Sequence, residues 1–254
     1  MRGCVKALFG IMLVFLILFV AGYGDCECPI DGFADSGGGT DNNGNNGNGD
    51  NGGNNNGGNN NGVTVPNLGK NGDGKDGDVM TINGIECVLV KAGKFIMGSP
   101  LSEEGRGDDE TQHQVTLTKD FWLSKYPITW GQYDNFSGSN YPVNYIPWFE
   151  ANDWAKSKGG RLPTEAEWEF AARGGNKSQG YIYSGSNNLD EVGWYGGDYE
   201  SEERTHPVGE KKANELGIYD MSGNVYEWCN DLYGSYPTEA VTNPTGSSTG
   251  DYRV

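Results

Sequence analysis

The sequence predicts an α+β domain of low regular secondary structure and high loop content, and three observations predict it. Strand-like runs gather in residues 85–126, helix-like periodicity follows in 129–175, and the remainder is rich in Gly, Tyr and Trp with little regular spacing. Strands joined to a few helices by long loops describe the α+β class.

The first element is an export signal. Arg2 and Lys6 precede an apolar run over residues 7–21, and Gly22 and Gly24 follow it, which is the three-part layout of a secretory leader. The run is shorter than the ~20 residues a bilayer span needs, so cleavage is preferred to a retained anchor, with residues 1–24 as the signal and 25–35 as the mature N-terminus. Two membrane tethers stay open, an uncleaved signal and a lipidated Cys26, although Asp25 departs from the small residue that usually precedes an acylated cysteine.

Residues 36–78 form a linker. From 36 to 62 they are almost all Gly and Asn, with nothing to bury and maximal backbone freedom. As a random coil, ~27 residues place their ends on the order of 30 Å apart, enough to lift a domain off a membrane or wall. Residues 71–78 alternate acids and glycines like a calcium loop, but Lys75 falls where a ligand is needed and no Glu closes the pattern, so solvated linker is expected there.

A folded domain should occupy residues 79–254. Residues 85–91 and 95–98 flank Gly93 and read as a hairpin, with further strands expected over 114–118 and 121–126. Thr129 and Gln132 make a capping box ahead of Tyr133 and Phe136. Trp148, Ala151, Trp154 and Ala155 share one helical face, and Gly159 and Gly160 stop that helix. Pro163, Thr164 and Glu167 begin another, a capping box followed by Trp168, Ala171 and Ala172 on one stripe, with Gly174 as its left-handed end. Its Glu165, Glu167 and Glu169 have a sufficient role in capping and solvation.

Charge and composition narrow the function. Thirty-five acidic residues against 18 basic ones give a formal charge of −17, which argues against a nucleic-acid partner, since phosphate binding needs clustered Lys and Arg. Once a signal carrying Cys4 is removed, Cys26, Cys28, Cys87 and Cys229 remain in an oxidising setting. Cys87 lies in an apolar run and Cys229 follows Trp228, so burial as small hydrophobes is preferred to pairing for both. With no Cys-x-x-Cys pair and only His113 and His206, a zinc site or a Cys/His catalytic pair has little support. The tryptophans are expected mainly to fill the core. Asn135-Phe136-Ser137 and Asn176-Lys177-Ser178 both fit the glycosylation acceptor pattern.

Four ordered segments carry a resemblance: residues 90–99, opening Val90-Lys91-Ala92-Gly93; Tyr126-Pro127-Ile128-Thr129-Trp130-Gly131-Gln132-Tyr133; the Gly159–Gly175 helix; and residues 214–231, preceded by His206-Pro207-Val208-Gly209. Together they resemble the formylglycine-generating enzyme family, the sulfatase-modifying factors. The resemblance implies a variant of the C-type-lectin fold. It also implies a structural calcium ion held by the side chains of Asp220 and Glu227 and the carbonyls of Gly223 and Val225, a chemistry that suits hard oxygen ligands on a turn.

Family members that oxidise a sulfatase cysteine to formylglycine use a cysteine pair near the C-terminus and bind copper through it, soft thiolate to soft cuprous ion. Asp251-Tyr252-Arg253-Val254 resembles the lead-in to that segment, so the cysteine pair and its copper are expected only in residues that would follow Val254. Cys229 belongs to the calcium segment and does not fill the vacancy. The residues given therefore contain no catalytic or cofactor-binding candidates. The expectation is an exported protein, periplasmic, secreted or at the bacterial cell surface, that binds a protein, peptide or glycan without catalysis. The alternative is a copper oxidase completed by a C-terminal segment.

Overall fold

The protein is described here from a computed structural model. The structure describes residues 15–17, 20–22, 74–103, 106–134, 138–196 and 205–254. The Gly/Asn-rich tract, Cys26, Cys28 and Asn135 lie outside the described residues.

Chain order gives β1 (Phe15–Ile17), β2 (Val20–Gly22), β3 (Val79–Ile82), β4 (Ile85–Val90), β5 (Gly93–Met97), β6 (His113–Leu117) and β7 (Phe121–Ser124). Helices α1 (Trp130–Tyr133), α2 (Trp148–Ser157), α3 (Glu165–Ala172) and α4 (Leu189–Val192) follow, with a 3₁₀ turn at Gly175–Lys177, and β8 (Tyr226–Trp228) and β9 (Val241–Thr242) close the order. The strands form a four-stranded sheet ordered β2-β7-β4-β3, a three-stranded sheet β5-β6-β9 and a pair β1-β8. Strands β1 and β2 come from the apolar run expected to be an export signal; β1 pairs in parallel with β8, and β2 pairs antiparallel with β7.

Strand β4 decides the layering. Side chains alternate across a strand, and here both faces are buried. Val88 and Val90 pack with Phe121, Leu123 and the apolar side of α3, whereas Cys87 and Leu89 pack with Trp122 and with Ala151 and Ala155 of α2. The four-stranded sheet is thus the middle layer between two helices, and each face has its own hydrophobic cluster.

The hairpin expected around Gly93 does not form. Strand β4 pairs with β3 and β7, while β5 pairs with β6 in a different sheet. The break has a visible cause at Lys91 and Ala92: Asp120 accepts the Ala92 amide at 2.9 Å and the Lys91 ammonium at 2.6 Å, turning the chain out of the first sheet. A β-carbon at Gly93 would run into Phe170 and Asn176. A strand buried on both faces also needs partners on both edges, and a hairpin would use up one of them.

The folded region starts earlier than the expected linker boundary. Gly77 donates its amide to the Leu89 carbonyl, Asp78 caps the Lys75 amide, and Asp76 accepts the Lys91 amide at 2.8 Å. These acids therefore serve as backbone acceptors in a turn, in accord with the poor calcium-loop register. Asn176 uses its amide on Asp76 and on the carbonyls of Lys91 and Ala92, so this acceptor-pattern asparagine is occupied structurally.

Both capping boxes form. The Thr129 hydroxyl accepts from Gln132 N–H and the Thr164 hydroxyl from Glu167 N–H, each with the reciprocal bond. Gly174 is left-handed at φ 88° and ends α3 after eight residues. The solvation expected of the α3 carboxylates is corrected in two cases. Glu167 caps and pairs with Arg161, but Glu165 and Glu169 are buried, the former accepting the Tyr236 hydroxyl. Glu169 accepts the Gly98 amide at 3.0 Å and the Arg173 guanidinium at 2.8 Å.

The tryptophans do more than fill space. Trp148 donates to the Cys229 carbonyl at 2.8 Å, Trp228 to that of Ile146 at 2.8 Å and Trp154 to that of Tyr133 at 3.1 Å. A loop-rich domain leaves many carbonyls without ladder partners, and an indole offers apolar bulk with one donor at its edge.

Candidate functional site

The four residues expected to hold calcium lie on one turn, residues 220–227, leading into β8. The turn is unusual in its backbone: Asp220 has φ 57°, Gly223 φ 127° and Asn224 φ 66°. Only glycine adopts the Gly223 conformation cheaply, and a β-carbon there would also collide with the Trp194 carbonyl oxygen. The Asn224 side chain holds the neighbouring loop by both its ends, accepting the His206 amide at 2.9 Å and donating to the His206 carbonyl at 3.1 Å. Its own amide donates to the Trp194 carbonyl. Trp194 and His206 stack with centroids 3.6 Å apart, and the Lys211 ammonium sits 4.0 Å above the indole. The His206-Pro207-Val208-Gly209 segment is therefore a clamp on the turn, and Gly209 N–H donates to Asp220 Oδ2 at 2.7 Å.

Both carboxyl groups of the turn are buried, and each keeps one oxygen with no hydrogen-bond partner: Asp220 Oδ1 and Glu227 Oε1. The other Glu227 oxygen accepts the indole N–H of Trp168, so α3 reaches the turn directly. Burial raises the Asp220 carboxyl to about 6 and that of Glu227 to about 8, the latter lifted further by the charge of Asp220. No basic side chain among the described residues offsets either group. Glu169 also has an unpaired oxygen, and burial raises it to about 7, but the Arg173 cation faces it. Asp220 and Glu227 thus form a pair of enclosed carboxyl groups with no cation beside them among the described residues.

Those orphaned oxygens fit a calcium ion, which takes hard oxygen ligands and supplies the absent positive charge. Among the described residues no three His, Cys, Asp or Glu side chains cluster to hold a metal, so an ion here would depend on the two carboxylates and on backbone carbonyls. The Gly223 carbonyl already accepts the Val225 amide at 2.8 Å, which closes the turn tightly and leaves that oxygen one further lone pair.

Cys87 and Cys229 are both free and buried, as expected of small hydrophobes. Burial pushes the Cys87 thiol up to about 12. The Cys229 thiol is held well above its ordinary value by burial and then by Glu165, Asp231 and Glu227. Neither is a ready thiolate.

Sequence reasoning missed a second group of residues. A cleft of about 510 Å³ opens beside the N-terminus of α3, lined among others by Met97, His113, Glu165, Asp231 and Tyr236. Asp231 Oδ2 accepts the Glu165 amide at 3.1 Å, and the Tyr236 hydroxyl donates to Glu165 Oε1 at 2.7 Å. Burial raises the Asp231 carboxyl to about 7, with the neighbouring Glu165 and Glu167 charges adding to the effect and Arg161 opposing it. The available signal was Asp231 closing the 214–231 segment in a stretch with so few basic residues.

Comparison with known proteins agrees with this architecture. PvdO from Pseudomonas aeruginosa superposes with a TM-score of 0.56 over 70% of this chain and 84% of that protein, at 26% identity. Treponema denticola variable protein 1 shares the fold, with a TM-score of 0.52 over 69% of this chain and 84% of that one, at 24% identity. These define an α+β, formylglycine-generating-enzyme-like fold with little regular secondary structure. The Sulfatase-modifying factor enzyme 1-like domain profile matches residues 79–140 and 137–254, and the chain belongs to that family.

Its relatives are functionally varied. The chaperone protein LppX of Paenibacillus barcinonensis is 36% identical, over 57% of this chain and 70% of that protein. Mouse formylglycine-generating enzyme is 31% identical over 65% of this chain and 49% of its own length. The bovine inactive C-alpha-formylglycine-generating enzyme 2 is 37% identical over 55% and 50%. The chain therefore spans about half the length of these last two relatives.

Proposed function

We propose that this chain is an exported, calcium-stabilised member of the sulfatase-modifying factor family whose domain binds a protein, peptide or glycan rather than catalysing oxidation. What supports the non-catalytic reading is that relatives of this chain include a protein named as a chaperone and one named as an inactive formylglycine-generating enzyme, and that Cys87 and Cys229, both buried with thiols pushed upward, offer no ready thiolate. The Gly/Asn-rich tract of residues 36–62 then serves as a spacer that displays the domain, held through an uncleaved signal or a lipidated Cys26, or freed by cleavage.

Calcium belongs to the same reading, with Asp220 and Glu227 supplying side-chain oxygens and Gly223 and Val225 carbonyls. Bound there, the ion neutralises two buried carboxylates and fixes the turn against Trp194, His206 and Gly209; it has no part in bond making. Thermal unfolding of the purified protein in excess calcium and in chelator tests this. A melting temperature several degrees higher with calcium is expected, and an unchanged one would defeat the assignment.

The competing reading is a copper oxidase, supported by the relatives named as formylglycine-generating enzymes. Incubating the full-length protein with copper and a Cys-x-Pro-x-Arg peptide, and weighing the product by mass spectrometry, separates the two. No aldehyde is expected; turnover would overturn the binding reading.

A further inference from the structure

The cleft beside α3 has a chemistry of its own. His113 is 5% exposed, and its Nδ1 lies 3.0 Å from the Thr111 carbonyl oxygen. A carbonyl only accepts, so Nδ1 carries the proton and Nε2 of the neutral ring is an acceptor. Nε2 has no partner among the described residues, and its ring forms part of the cleft wall, edge-on to Tyr236 at 5.2 Å. Asp231 is 2% exposed, and while its Oδ2 is engaged by the Glu165 amide, Oδ1 has no donor among the described residues. Asp231 lines the cleft, whereas the orphan oxygens of the 220–227 turn are sealed from solvent.

The wall contains Glu165 and Asp231 but no Lys or Arg. The guanidinium that acts on Asp231, that of Arg161, is committed to Glu167 through two bonds of 2.7 Å. The remaining lining mixes hydroxyls, those of Ser235, Thr242, Thr245 and Ser247, with apolar side chains that include Met97 and Val241 from the second sheet. A space of this kind offers hydrogen-bond acceptors and negative charge together with hydrocarbon contact. The complement is a donor-only cation on an aliphatic stem.

We infer that this cleft binds a primary alkylammonium group, through Asp231 and His113 with Glu165 alongside, and packs the attached stem against Met97 and Val241. An ammonium has three donors and no acceptor, which matches the acceptors available. Such a group comes either from a lysine side chain of a partner protein or from a free aliphatic amine. The inference does not depend on calcium at the 220–227 turn, since none of the ammonium contacts uses that turn.

The test uses the full chain at saturating calcium and, separately, in chelator at a temperature where it remains folded. Amide shifts of Glu165, Asp231 and Tyr236 are followed by NMR on titration with Nα-acetyl-lysine methylamide, with 1,5-diaminopentane and with the neutral isostere Nα-acetyl-norleucine methylamide. Saturable shifts are expected with the first, the norleucine compound should bind at least tenfold more weakly, and diaminopentane binding equally well would identify the free amine as sufficient. Asp231→Asn keeps an oxygen for the Glu165 amide while removing the charge, and should weaken binding at least tenfold. Thr242→Lys, at an exposed rim position, supplies a tethered ammonium and should block added ligand without unfolding the domain. Equal binding of lysine and norleucine compounds, unchanged affinity in both variants, or no saturable shift with any amine would each overturn the inference. A calcium-independent melting temperature together with intact amine binding would remove the calcium reading and leave this one standing.

Discussion

Two pairs of buried carboxyl groups draw three of their four members from residues 220–231, with Glu165 of α3 as the fourth, and they are built for different partners. Asp220 and Glu227 lie inside a locked turn, the charge of the first acting on the second, each with one oxygen sealed from solvent and unpaired. Glu165 and Asp231 share the base of a cleft, joined through the Glu165 amide and covered by Tyr236. Burial raises both Asp220 and Asp231, yet enclosure suits a bare ion and openness suits a ligand with a stem. Similar titration behaviour therefore says little about what a carboxylate is for; the space around its free oxygen says more.

The sharpest way to break this comparison is Glu227→Gln. In calcium it should cost about 2–3 kcal/mol, the stabilisation expected of a ligand present at roughly a hundred times its dissociation constant. In chelator the same substitution should be neutral or stabilising, because it removes a buried carboxyl that has no cation to meet. Asp231→Asn should show no such reversal. Urea unfolding of both variants, with and without calcium, reads the difference; a Glu227→Gln effect independent of calcium would merge the two pairs into one structural class.

A smaller effect separates them by pH. The Asp231 carboxyl is raised from 3.8 to about 7, so between those values the folded protein holds a proton that the unfolded chain has released. The native state then binds more protons, and stability must fall as pH rises through that window, levelling off above about 7. The groups facing Asp231 are Glu165, Glu167 and Arg161, and the first two add to the effect. With calcium held saturating, unfolding free energy measured from pH 4 to 8 should decline less steeply in Asp231→Asn than in the parent protein. An identical slope would mean that Asp231 is not the group responsible.

How far these sites were legible in the sequence depends on the range of the contacts. Thr164 with Glu167 and Thr129 with Gln132 are local, three residues apart, and both boxes could be read directly. The turn residues Asp220, Gly223, Val225 and Glu227 were legible only through the family resemblance; the residues themselves show no more than a short turn with two carboxylates. The Trp168 bond to Glu227 spans 59 residues and the Glu165 bond to Asp231 spans 66, and no local pattern encodes either. The Gly93 hairpin failed for the same reason: two apolar runs around a glycine look alike whether they pair with each other or with strands elsewhere, and Asp120 decided the matter from outside the window. Glu165 and Glu169 were read as solvated because they lie on a charged helix, yet Tyr236 meets the first and the Gly98 amide the second, each from a distant segment.

The smallest effect tests whether the cleft and the helix beneath it are one unit. The N-terminus of α3 has two acceptors, the Thr164 hydroxyl on the Glu167 amide at 3.2 Å and Asp231 on the Glu165 amide at 3.1 Å. Thr164→Ala removes only the first and should cost about 1 kcal/mol, the usual loss for a capping hydroxyl. Because Asp231 still holds the first turn, the helix should stay in register and amine binding should change by less than twofold. Thr129→Ala removes the matching cap from α1, a single turn of four residues with no second acceptor of this kind in its cap, and so offers a control for the capping loss alone. If Thr164→Ala also abolished amine binding, the cleft would depend on the cap rather than on Asp231, and the charge that distinguishes it from the 220–227 turn would no longer explain its preference.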